Sequence, residues 1–305
     1  MFDEFKSAFQ RHNNAHVQLI IINVLLFVIL GTLFVLSRWT GLETYFFILH
    51  DQFSIPPAFG EFLTRPWTIV TYSFAHSLQQ LLHIIFNMLG LYWFGRLFVE
   101  YLGSDKLIAL YVLGAIAGAV LYLLAYNALP VLPDFLANSP SGMVGASAAI
   151  FAILTAVAVL LPNYTFFLLF LGPVKIKYIA IVYIFISVLG SVGSNAGGEI
   201  AHLGGALIGY IYMKQLQAGT NIGGWVTVTL EFLKNLFKPK PKVKVTYRKE
   251  KNADVKKSGK PAVSQDEIDA ILDKISAGGY DSLTQDEKEK LFNASKKQQD
   301  RDRTS

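Results

Sequence analysis

Cysteine is absent from the 305 residues, which rules out disulfides and thiolate metal sites and with them a secreted disulfide scaffold or a cysteine-based zinc site. Charge is scarce too. Asp, Glu, Lys and Arg make up 16% of the chain against 52% hydrophobic residues, and the mean hydropathy is +0.40. A water-soluble domain of ordinary usage carries about 25% charged residues, so the composition excludes that class and predicts a polytopic membrane protein. There is no phosphate-cradling glycine loop and no aromatic RNA-binding motif. No small-residue cleavage site follows the first apolar run before Arg38, so that run reads as a retained anchor. The net charge of +5 is carried by the tail: 18 of the 27 Lys and Arg residues lie after position 220, beside 13 of the 22 acids. Such a basic tail suits attraction to anionic lipid and gives no reason to expect a nucleic-acid partner.

What is present is a series of apolar runs of about bilayer length. They fall at residues 17–36, 81–99, 107–124, 145–161, 176–189 and 200–216, predicting an all-α membrane protein of six spans. A polar leader, 1–16, precedes the 17–217 core. Residues 37–66 mix Tyr45, Phe46, Phe47, Ile48 and Leu49 with Asp51, Pro56, Pro57 and Pro66, too apolar for a solvated linker and too broken for a span; they are expected partly in the interface. Arg65 and Trp67 read as interface anchors that could also bond this loop in place. A Pro- and Asn-rich connection covers 125–143. Gly114 and Gly118 in the third run, and Ala201, Gly205 and Gly209 in the sixth, have the small-residue spacing that lets helices approach closely.

Lys and Arg set the orientation. Arg96 with Lys106, Lys175 with Lys177, and the tail after Lys214 alternate with connections nearly free of basic residues, so both termini are expected in the cytoplasm. Spans two, four and six then run inward from the external face. His83, Ser147 and His202 each fall near the start of one of them, at a shared depth. A serine among small residues, Gly145-Ala146-Ser147-Ala148-Ala149, by itself reads first as a helix-packing residue and only second as a nucleophile. An imidazole inside a membrane span points to function by default, and a serine hydroxyl needs such a base.

The chemistry these groups suit is acyl transfer without metal or cofactor, with Ser147 as nucleophile and His202 as base. The free amides and positive dipole end at the start of the fourth span would favour a developing oxyanion. His83 and Asn87, four residues apart on one helical face, could add donors, and Phe151 could hold the imidazole by ring contact. The only carboxylate near His202 in sequence is Glu199, three residues earlier. At the rim it reads as a solvated charge, so a dyad is favoured over a triad. His76 reads as structural or as a loop cap.

Gly145-x-Ser147-x-Ala149 opening the fourth span, Ala201-His202-Leu203-Gly204-Gly205 in the sixth, and His83-x-x-x-Asn87 followed by Met88 and Gly90 in the second resemble the rhomboid intramembrane serine proteases over residues 17–217. The resemblance implies a six-helix rhomboid-like bundle of bacterial type and a Ser147–His202 dyad. It further implies an oxyanion site of His83, Asn87 and the Ser147 amide, and cleavage of membrane-spanning protein substrates near the outer leaflet. It also implies a first connection half sunk in the bilayer, and access controlled by the fifth span and the cap at residues 190–198. The chain departs from the family at Phe151, where tyrosine is common, and in the spacing of His76 from His83. Charge balance and loop asymmetry suit a bacterial inner membrane, and the residues alone leave an organelle membrane open as the alternative. A pseudoprotease would usually lack the serine or the histidine. A transporter relaying protons through His83 and His202 would call for mid-span carboxylates and an internal repeat, neither of which is seen.

Beyond the core, residues 218–262 are predicted as an interfacial helix, with Trp225, Leu230, Phe232, Leu233 and Phe237, followed by a Lys- and Pro-rich linker. Residues 263–305 predict a small helical tail. Ser264 caps a helix whose Ile268, Ile271, Leu272 and Ile275 keep a 3.6-residue period to Gly278 and Gly279; Ser282 or Thr284 before Glu287 starts another.

Overall fold

The computed structural model describes residues 13–128, 142–168, 171–193, 195–237 and 264–302. Most of the leader, most of the 125–143 connection and the Lys-rich linker lie outside the described residues. The chain divides into two compact units, Met1–Pro239 and Lys240–Ser305.

Helices stand at all six positions predicted as spans. They are α1 (Ala15–Thr40), α3 (Leu81–Leu102), α4 (Ser104–Ala128), α5 (Ser147–Leu160), α6 (Ile176–Gly190) and α7 (Ala196–Gln217), with α2 (Glu43–His50) in the first connection and α8 (Gly224–Phe237) after the bundle. Three of these, α1, α3 and α4, are both long and apolar enough to cross a membrane. At 1.5 Å per residue, α5 rises only about 21 Å, well short of a hydrocarbon layer of about 30 Å. It is also the most enclosed helix, with every residue from Ala148 to Ala158 buried.

In lipid no hydrophobic drive pushes apolar helices together, so close approach has to come from small residues. A Cβ built on Gly205 would lie 2.0 Å from the Ala148 carbonyl oxygen, and one on Gly209 2.2 Å from that of Ala152, so the α7 backbone runs directly against α5. On the other side Gly114 faces the Ala149 backbone at 2.8 Å, and Gly118 meets both the Ala148 Cβ at 2.5 Å and the Ala201 carbonyl at 2.9 Å. Three helices therefore pack backbone to backbone around the start of α5.

Polar clamps fix the loops over this core. The Tyr72 hydroxyl donates to the Ala115 carbonyl at 2.8 Å and the Tyr111 hydroxyl to that of Ser73 at 2.6 Å. Ile55 and Met143 form an isolated antiparallel bridge that ties the first connection to the residues just before Ser147. Arg65, largely buried, donates to the Asp51 carbonyl at 2.7 Å and pairs with Glu61, so it bonds the connection in place from within. Where the sequence suggested only a basic turn before α6, the chain forms an antiparallel hairpin, β1 (Thr165–Leu168) with β2 (Gly172–Lys175). Gly172, at φ 70°, supplies the left-handed residue at its turn.

The second unit holds α9 (Gln265–Gly278) and α10 (Gln285–Asp302). Ser264 and Glu267 form a reciprocal capping box, and Thr284 and Glu287 repeat the arrangement at the start of α10. Lys274 reaches both carboxylate oxygens of Glu287 at 3.0 Å, and Ile271 and Leu283 are buried.

Candidate active site

Ser147 is the first residue of α5, presented by the extended stretch before it; Gly145 in that stretch donates its amide to the Tyr72 carbonyl at 3.0 Å. Ile150 is the first amide of α5 to close onto a helical carbonyl, that of Ala146, leaving the amides of residues 147–149 at a helix N-terminus where a developing negative charge is favoured. On α7, His202 lies one turn past Glu199 and faces α5 where Gly205 holds the two helices together. The Ser147 Oγ is 2.7 Å from His202 Nε2. Phe151, one turn after Ser147, stacks on the imidazole with centroids 4.3 Å apart and planes at 10°.

His83, from the first turn of α3, comes in over Gly145. A Cβ on Gly145 would stand 2.9 Å from His83 Cε1 and 3.7 Å from Ser147 Oγ, and the residue's φ of +135° is itself one that suits glycine. Gly145 thus serves twice, turning the chain into α5 and clearing space for the ring. Asn87 donates from Nδ2 to the His83 carbonyl at 2.7 Å, and its Oδ1 is buried without a partner. His76 is fully buried, its ring 5.4 Å from that of His83. Among the described residues no group of three or more His, Cys, Asp or Glu side chains is placed to hold a metal ion.

The structure departs from the sequence reading at Glu199. The residue is not a solvated rim charge: its side chain is only 19% exposed, and Oε2 lies 3.1 Å from His202 Nδ1. Ser187 of α6, which the sequence did not single out, places its Oγ 3.1 Å from the same nitrogen. The signal for Glu199 was its spacing, three residues before His202 and so on the same helical face. Ser187 had none, because its approach is set by how α6 packs on α7.

Glu199 and the serine–histidine pair border a cavity of about 1370 Å³ that runs between α3 and α6, lined by Phe86 and Trp93 on one side and Ile179 and Tyr183 on the other. Ser147, His202, His83, Asn87, Gly145 and Phe151 all contribute to its wall, so the sequence-predicted residues converge on one space. His76 and the glycines of α4 do not.

Comparison with known proteins agrees with this architecture. Residues 63–217 match the Rhomboid domain family, and residues 254–297 match a family of unknown function (DUF6576). Similar proteins include the RHOMBOID-like protein 12, mitochondrial, of Arabidopsis thaliana, 34% identical over 51% of this chain and 48% of its own length. Another is Rhomboid protein 1, mitochondrial, of Saccharomyces cerevisiae, 31% identical over 57% and 46% respectively. The chain spans about half the length of these relatives. A helical bundle with apolar helices of spanning length, matched across its core by one family model, makes the chain an integral membrane protein of the rhomboid family.

Proposed function

We propose that the protein is an intramembrane serine endopeptidase that cleaves a peptide bond in or beside a membrane-spanning segment of another protein. The observation that carries the reading is the 2.7 Å approach of the Ser147 hydroxyl to His202 Nε2, two groups 55 residues apart in sequence brought together inside an apolar bundle. At that distance the serine O–H can donate to an unprotonated Nε2.

In the proposed reaction Ser147 Oγ attacks the scissile carbonyl carbon while its proton passes to Nε2. The carbonyl oxygen becomes an anion facing the amides at the start of α5, with His83 and Asn87 as side-chain donors. The C–N bond then breaks as His202 returns the proton to the leaving amine, giving an ester on Ser147. Water attacks this ester, giving its proton to His202, and breakdown releases the carboxylate product and restores the serine.

Two further features support a membrane substrate. The cavity opens between α3 and α6, where Phe86 is 66% exposed and Tyr183 48%, so an apolar segment could reach Ser147 from the side. The brevity of α5 also means that its first residue lies within the bilayer thickness if its other end reaches the opposite face. The alternation of basic and nearly charge-free loops supports six crossings with both termini on one side and Ser147 toward the opposite leaflet, an arrangement that would suit a bacterial plasma membrane.

The test is cleavage of a model transmembrane substrate by purified protein, with fluorophosphonate labelling of the serine. Ser147→Ala and His202→Ala are each expected to abolish cleavage while leaving the protein folded. Undiminished cleavage by Ser147→Ala would refute the assignment. Failure of the wild type to label or cleave would favour a rhomboid-like protein that binds membrane proteins without cutting them.

A further inference from the structure

We propose that Glu199 is a positioning residue for His202, completing a Ser147–His202–Glu199 relay in which the carboxylate holds the imidazole in the tautomer that can take the serine proton. The inference rests on the reading of Ser147 as nucleophile and His202 as base. It adds a third group that the sequence argued against.

The argument begins with Nδ1. Glu199 Oε2 stands 3.1 Å from it, and an ionised carboxylate can only accept. If His202 carried its proton on Nε2, the Nδ1 lone pair would face carboxylate lone pairs at that distance. With the proton on Nδ1, the same contact is a charge-assisted hydrogen bond and Nε2 is left free to accept from Ser147. Once His202 has taken the serine proton, the imidazolium lies against the carboxylate in a largely enclosed site, where the attraction exceeds that in water.

The surroundings are built to hold Glu199 there. Ser187 and Asn195 both stand beside its side chain, one from the end of α6 and one as the residue preceding α7. Gly190 makes the room: a Cβ at that position would fall 2.8 Å from Glu199 Cγ and 3.0 Å from Cδ. The Ser187 Oγ, 3.1 Å from Nδ1, closes the other side of the ring nitrogen. Phe151 stacked on the ring face then leaves the imidazole little freedom to turn.

Glu199→Gln, Glu199→Asp and Ser187→Ala, assayed for kcat, KM and thermal midpoint, test this. An amide at Glu199 can offer its own N–H to Nδ1 and so favour the wrong tautomer. Glu199→Gln is expected to lower kcat by at least about tenfold, within the roughly 10⁴-fold loss seen when the carboxylate behind a catalytic imidazole is neutralised elsewhere. KM and thermal midpoint should stay near wild type. Glu199→Asp should recover part of kcat, since it keeps the charge, and Ser187→Ala should lower kcat by less than Glu199→Gln does, since it leaves the carboxylate on Nδ1. If Glu199→Gln does not fold, Gly190→Ala displaces the carboxylate without removing it and should lower kcat in the same direction. Wild-type kcat in Glu199→Gln would overturn the proposal. So would a loss reproduced in full by Ser187→Ala and matched by an equal fall in thermal midpoint, which would make Glu199 a tie between α6 and α7. A failure of this kind leaves Ser147 still labelled by fluorophosphonate and still essential, whereas failure of the protease reading removes both.

Discussion

Gly205→Ala should disable the site from a position that touches neither the serine nor any substrate. The Cβ it adds would lie 2.0 Å from the Ala148 carbonyl oxygen and 2.8 Å from its carbon. Carbon–oxygen contacts of this sort settle near 3.3 Å, so α7 has to move off α5 by about 1.3 Å. The obstructing atom is backbone in the buried stretch of α5, so no side chain can rotate out of the way. Ala148 directly follows Ser147, and Gly205 is less than one turn beyond His202, so the separation is passed on to that pair. Opening the Ser147–His202 approach by the same amount takes it to about 4 Å, beyond hydrogen bonding. Overpacking of this kind costs about 1–3 kcal/mol, while a displacement of about 1 Å at a reacting pair can cost roughly 10² in rate. We therefore predict a variant that remains folded, with a lowered thermal midpoint, and that cleaves a transmembrane substrate at least about 10²-fold more slowly. Gly60→Ala is the control, since its Cβ would meet nothing within 4 Å; it should leave both quantities unchanged. Wild-type kcat in Gly205→Ala, with the protein stably folded, would show that the backbone contact between α5 and α7 does not set the distance between serine and histidine.

Two further outcomes are expected. Gly145→Ala meets both an unfavourable φ of +135° and the His83 ring at 2.9 Å, so it should displace the ring and lower kcat by about 10²–10³, the usual loss for one oxyanion donor; unchanged kcat would take His83 out of the reaction. In the tail, the Thr284 amide and hydroxyl and the Lys274 ammonium hold the Glu287 carboxyl down at about 2 from an ordinary 4.5. Because its pKa is lower folded than unfolded, Glu287 contributes fully above pH 4.5, and the contribution is lost as pH falls toward 2. Hydrogen exchange of residues 265–302 in the full chain, corrected for intrinsic rates, should show protection falling through that window. Glu287→Gln should flatten this dependence, and an unaltered profile in that variant would count against the capping role.

How much of this was legible in the sequence depended on how local each signal was. Ser147, His202 and His83 could be read because a polar group inside an apolar run is conspicuous and because loop charge suggested a shared depth for the three, and Asn87 because it lies four residues after His83 on the same helical face. The helix positions followed from run length and composition. Glu199 was misread because a carboxylate near the end of an apolar run looks like a surface charge. Its actual place depends on Gly190 leaving space and on Ser187 approaching from another helix, neither of which appears in the spacing around His202. The β1–β2 hairpin escaped notice because four-residue strands leave too short a pattern beside the apolar runs that flank them. Arg65 read as an interface anchor that could also bond the first connection in place, and the fold shows that second role, with the guanidinium bonded inward to the Asp51 carbonyl.

The residues that close the fold and those that would perform the chemistry are interleaved on the same helices, and this follows from the solvent. Without a hydrophobic drive between helices, α5 and α7 can be held tightly only through glycine and alanine, which brings their backbones into contact. Backbone contact leaves little room for relative motion, and a short serine side chain can then meet a histidine across the interface without a long, flexible reach. Larger residues would have set the helices further apart, and Ser147 could not have spanned the gap. The short α5 adds the second condition. Its N-terminus lies at the cavity wall beside Ser147, and the start of the helix that leaves these amides unpaired also supplies the positive end of a helix dipole to a developing anion. Lengthening α5 by one turn at its start would satisfy those amides within the helix and move the dipole end past the serine. The Ser147–His202 contact could survive such a change, but the oxyanion donors could not.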